Sequence, residues 1–144
     1  MDISSFRDIR TARPGAGRDP CAIDIRKPET LKLSGKLTHK IFPGPPNYEN
    51  IKKGDRPEPA YILALDAPVC ASGISVGKDK PLVDTKPFST IHLLFGDNKA
   101  IAKELKRLTG KRVIVQGENG DEAISGHHHA PFIMDVKEVR RDQK

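Results

Sequence analysis

The stretch "TLKLSGKLTHKIF", Thr30 to Phe42, limits the fold more than any other part of the chain. Leu31, Leu33, Leu37 and Ile41 occupy odd positions, with Lys32, Ser34, Lys36 and Lys40 between them. Period two over that length describes a half-buried β-strand. Gly35 in its middle is where such a strand bends or bulges. His39 shares the inward parity unless a bulge intervenes.

The next stretch is opposite in character. "PGPPNYENIKKGDRPEP", Pro43 to Pro59, holds five prolines. Proline fixes φ and removes a donor, so the segment reads as a stiff loop, longer than a hairpin needs, and not as a central strand. A second strand follows in "AYILALDAPVC", with Tyr61, Leu63 and Leu65 on one side, and "ASGISVGKDKPLVDTKP" forms a second connection. The third strand, "STIHLLF", sets Ile91, Leu93 and Phe95 against His92 and Leu94.

There the period changes. Asp97 or Asn98 can cap a helix in which Ile101, Leu105 and Leu108 recur on one face, and Gly110 suits its end. "KRVIVQG" is a fourth strand with Val113 and Val115 inward, "GENGDE" (117–122) reads as a turn, and "PFIMDVKEV" is a fifth strand with Phe132, Met134 and Val136 inward. The order predicts a mainly β domain, a five-stranded OB-like barrel with one helix between strands 3 and 4. An unrelated small barrel or an α+β sheet is the competing arrangement.

Residues 1–20 mix Pro, Gly and balanced charge without apolar period, which predicts a disordered N-terminal segment or leader remnant ahead of one domain over 21–140. No run is long enough to cross a membrane, so no membrane insertion is expected, and "MDISSFRDIR" lacks the apolar region of a signal peptide. The net charge is +6. Its densest block is Lys99, Lys103, Lys106, Arg107, Lys111 and Arg112 against Glu104. Such a block is a solvated helix face or a surface for an acidic partner.

Cys21 and Cys70 lack the spacing of a redox or zinc motif. Each stands at the edge of an expected strand. If those strands are neighbours a disulfide is geometrically reasonable, and closing a loop of about 50 residues would stabilise the fold by roughly 4 kcal/mol. Two free thiols are the alternative. A bridge would point to the periplasm or the outside of the cell.

The segments "LKLSGKLTHKIFPGPPNYENIKKGD", "YILALDAPVC", "LTGKRVIVQGE" and "GHHHAPFIMDV" together resemble an uncharacterised family of small exported bacterial proteins, known as a domain of unknown function. The likeness runs from about Cys21 to Val139, and "FPGPPNYE" and "GHHH-x-P" are its distinctive marks. It implies a secreted or periplasmic origin and places Cys21 and Cys70 where that family carries a cysteine pair. "LTGKRVIVQGE" is also similar to the fourth strand of bacterial OB-fold domains. The resemblance brings no established activity.

Three of the five histidines lie together in "AISGHHHAPFIMDV". Neutral imidazoles are good metal ligands, and zinc is the ion they would take. On a strand His127 and His129 would share a face, with His128 opposite, so a site would need a third group such as Asp121, Glu122 or His92. Beside Gly126 and Pro131 the run also reads as a structural or ligand-contacting turn, and acid–base chemistry is the third use of such imidazoles. No catalytic constellation stands out: there is no G-x-S-x-G, "SGISVG" lacks a strand-to-helix context, and "GENGDE" matches a calcium loop only loosely.

An OB barrel raises the expectation of single-stranded nucleic acid, which needs aromatic platforms as well as charge. The chain has five Phe, two Tyr and no Trp, and Phe95 and Phe132 are better explained as core. The preferred expectation is a non-enzymatic binding module for another protein, of inhibitor or immunity type. It would use loops 42–59 and 117–131, which such a barrel brings to one end. The contact residues expected are Phe42, Pro43, Pro45, Pro46, Asn47, Tyr48, His127, His128 and His129. Zinc held by His127 and His129, in a metal-binding protein or a metal-dependent enzyme, is the second reading.

Overall fold

The computed structural model describes residues 21–75, 81–123 and 125–143. The segment 1–20 expected to be disordered lies outside them, as do part of the second connection and Ile124. In chain order the elements are β1 (Ile23–Asp24), β2 (Lys32–Pro43), β3 (Pro57–Val69), β4 (Ala71–Ser72), β5 (Ile74–Ser75), β6 (Leu82–Val83), β7 (Phe88–Leu94), α1 (Lys99–Leu108), β8 (Arg112–Glu122) and β9 (Phe132–Arg141).

The five long strands close into a barrel of order β2-β3-β7-β9-β8, and β8 returns to pair with β2. All neighbours are antiparallel except β7 and β9. With α1 between β7 and β8, this is the expected OB-like architecture. Gly35 is where β2 serves both neighbours, facing Leu65 on β3 and Val113 on β8. A side chain there would run into the Ala64 carbonyl, so the bend needs glycine. Leu37, Leu63, Ile91 and Phe132 stand opposite one another around the barrel and are fully buried.

Asn98 caps α1 by accepting the Ile101 amide, and Ile101, Leu105 and Leu108 turn inward as their spacing predicts. Gly110, at φ +88°, donates its amide to the Leu37 carbonyl and so ties the helix end to β2. Cys21 and Cys70 form a disulfide, with Cα atoms 5.0 Å apart, and β1 pairs with β4 beside it. The free-thiol alternative is thereby set aside.

Three expectations need correction. Ile41 is 59% exposed and His39 is exposed too, although both share the inward parity. β2 touches β8 only over Lys32–Lys36 and then runs on beside β3 alone, so its odd face passes the barrel interior. Second, "GENGDE" is not a turn: it continues β8 to Glu122 through register shifts at Gln116/Gly117 and Glu118/Asp121, with Asn119 at φ +56°. Bulges let a glycine-rich stretch stay in the ladder. The loop between the last two strands therefore begins at Ala123.

Third, Pro57 and Pro59 lie in β3, opposite Pro43 and Ile41. Gly44 donates to Arg56, so the bonded pairs are 44–56, 42–58 and every second residue onward. The prolines take the alternate positions, whose nitrogens point away from β2. That side is unpaired here because β7 joins β3 only at Tyr61.

Candidate functional site

The overhanging hairpin sets Phe42 directly across from Glu58. Their parity continues along the outer wall of the barrel through Ala60 and Ile62, then across to His92 and Ile133. Between Glu58 and His92 this outer stripe is apolar, and the triple-histidine loop folds back over it. Ala60, Ile62 and Ala130 form a small second core with Phe42 against it. His92 retains only 7% exposure under this cover.

The loop is fastened chiefly by side chains. Glu58 lies between two imidazoles: His127 Nδ1 is 2.5 Å from one carboxylate oxygen and His129 Nε2 is 2.9 Å from the other. A carboxylate only accepts, so both nitrogens carry hydrogen. That leaves Nε2 of neutral His127 as an acceptor, and the Tyr48 hydroxyl donates to it at 3.3 Å. The His129 amide donates to His92 Nδ1 at 3.1 Å, which puts the proton of neutral His92 on Nε2. Phe42 stacks flat on His129, with centroids 4.4 Å apart and planes 2° from parallel.

Electrostatics follow the geometry. Burial pushes His92 down to about 4, and the neighbouring His129 and His128 add to the effect against Glu58. For Glu58, desolvation pulls its carboxyl upward, but the hydrogen bonds from His129 and His127 and the charge interactions with both rings bring the net displacement downward.

Loop 44–56 is organised around Asp55, which is 4% exposed. Its carboxylate accepts the amides of Asn47, Glu49 and Asn50 at 3.0, 2.8 and 2.8 Å. Those Asn50 and Glu49 bonds hold the carboxyl below its ordinary range, against some desolvation. Tyr48 sits in the left-handed region at φ +56°, a conformation that costs a non-glycine residue about 1 kcal/mol or more. Its ring lies over Gly126, where an added Cβ would come within 2.8 Å of it. Glycine at 126 is thus what allows the two loops to touch.

The structure brings together Phe42, Tyr48, His127 and His129 among the sequence-expected residues. Asn47 contributes its backbone to the Asp55 knot, and Pro43, Pro45 and Pro46 shape the loop, the Pro45–Pro46 bond being cis. His128 faces the edge of the His92 ring at 6.4 Å. Asp121 and Glu122, considered as partners for the imidazoles, instead pair along β8 with Ile133 and Phe132. Glu58 fills that place, and Asp55 holds the loop; neither was singled out from sequence. Among the described residues, no three His, Cys, Asp or Glu side chains are arranged to hold a metal ion together.

Comparison with known proteins assigns no activity to this site. No curated protein and no solved structure matches the chain. Residues 90–140, which carry His92 and the three consecutive histidines but not Tyr48 or Glu58, match the family model described as a domain of unknown function, DUF4431.

Proposed function

We propose that this chain is a binding module for a protein partner in an oxidising compartment, the periplasm or the cell exterior. Its contact surface is the rim where loops 44–56 and 123–131 meet. One observation carries the reading: Tyr48 ties loop 44–56 to His127, and Glu58 on β3 holds His127 and His129, before any partner arrives. A rim already in one conformation loses little entropy on association. Ile41, Tyr48 and Ile51 are exposed large apolar or aromatic groups on or beside it, and the His127 side chain is 57% exposed. Phe42 and His129 lie behind them as supports. Exposed Lys40, Lys52 and Lys53 flank the surface and favour an acidic partner, as an inhibitor or immunity protein would meet. The Cys21–Cys70 bridge supports the compartment.

The test is capture from an envelope extract on immobilised full chain, followed by affinity measurement with the purified captured protein. Tyr48→Ala should weaken binding by about tenfold or more, in line with an aromatic anchor, and Lys103→Ala on α1 should not. Retention of no protein, or equal retention by Tyr48→Ala, ends the reading.

A further inference from the structure

The rim also has the makings of chemistry. The Tyr48 hydroxyl, the His127 imidazole and the Glu58 carboxylate stand in line: Oη to Nε2 at 3.3 Å, then Nδ1 to the carboxylate at 2.5 Å. This is the arrangement that activates a hydroxyl nucleophile, with a base beside it and a carboxylate fixing the tautomer of the base. Each part is held from outside the line. Tyr48 is placed by a left-handed backbone and by the knot around Asp55, and its ring rests on Gly126. His127 has its amide on Ser125 Oγ, and Glu58 is braced by His129 on its second oxygen. Tyr48 is 38% exposed, so a small molecule can reach it. The Tyr48 hydroxyl adds an exposed group within hydrogen-bond reach of an imidazole nitrogen, which accepts its proton when the ring is neutral.

We infer that Tyr48 is an acyl-accepting nucleophile, with His127 as its base and Glu58 as the positioning residue, and that its reactants are activated carboxylic esters. The Tyr48 oxygen forms a bond to the acyl carbon while the phenolic proton passes to His127 Nε2. The bond from that carbon to the leaving oxygen breaks, and its electron pair departs with the alcohol or phenol. The proton on Nε2 then goes to that oxygen or to water. The product is an acyl-tyrosyl ester on residue 48. This does not rest on the protein-partner reading, because a small ester needs no partner.

The probe is p-nitrophenyl acetate with the disulfide-intact full chain, read by peptide mass mapping of the acetyl group and by nitrophenolate release. Acetylation at Tyr48 should be roughly 10²-fold faster than on N-acetyltyrosinamide, the lower end of general-base assistance. His127→Gln, which can still accept the hydroxyl hydrogen bond but is a far weaker base, should return Tyr48 to the rate of the free phenol. His39→Gln, outside the site, should change nothing. Labelling of Tyr48 no faster than the free phenol overturns the inference, and so does equal labelling in folded His127→Gln. Should His127→Gln lose its circular dichroism signature, Glu58→Gln takes its place with the same two outcomes.

Discussion

Glu58 accepts the Nδ1 proton of His127 across 69 residues of sequence, and that bond joins the first hairpin of the barrel to the loop before its last strand. The second oxygen of the same carboxylate holds His129. Glu58→Ala should therefore free loop 125–131 while leaving the barrel closed. Hydrogen exchange should show faster amides at 127–129 and unchanged ones in β7 and β9. Lost charge-assisted hydrogen bonds of this kind cost about 2 kcal/mol. An unchanged exchange pattern would show that the loop is held by its apolar cover alone.

Acidification should weaken the fold in two stages. His92 is ordinarily half-protonated at 6.5 but is held down to about 4 in the folded state. Between those values the unfolded chain binds more protons, so stability falls as pH drops, by at most about 1.4 kcal/mol per pH unit. Glu58 is displaced downward from 4.5, so its contribution is complete above that value and is lost as pH falls through the depressed one. Melting temperature against pH should decline below 6.5. His92→Asn, which keeps an acceptor for the His129 amide, should flatten the first stage.

Reduction of Cys21–Cys70 opens a loop with a sequence separation of 49 residues. On the chain-entropy account the loss is about 4 kcal/mol, equivalent to a drop of roughly 15 °C in melting temperature. Cys70→Ser should show the same drop without reductant. It should also loosen the β1–β4 pairing, read as faster exchange at the Ile23 amide, which bonds to the Cys70 carbonyl.

Asp55→Ala should undo loop 44–56 by releasing three backbone amides at once. The amides of Asn47, Glu49 and Asn50 should exchange faster, and Tyr48 should leave His127. A partner-binding loss equal to that of Tyr48→Ala, from a residue 4% exposed, would show that the rim depends on prior organisation.

Much of the barrel was legible because its signals are local. Leu31, Leu37, Val113 and Phe132 announce their face by alternation, and Ile101, Leu105 and Leu108 by helical spacing. The parity rule failed at Ile41 because parity says which way a side chain points and not whether a core is still there. "GENGDE" reads as a turn because turn residues are also bulge residues. Glu58 was hidden by its prolines. Its one local signal was its shared parity with Ala60 and Ile62, which would have set it on the outer wall. Its role depended on the register that faces it to Phe42, and on the loop that returns much later in the chain.

The alternation of Pro57 and Pro59 along the overhang has an outcome for the company this molecule keeps. A bare strand edge ordinarily invites another chain to zip alongside through its main-chain amides. Here the outward positions at 57 and 59 have no hydrogen to offer, so an arriving strand finds acceptors without donors. The β3 edge of the hairpin can reach past the closed sheet without offering a donor at either of those positions. Whatever settles there must be chosen by side chains.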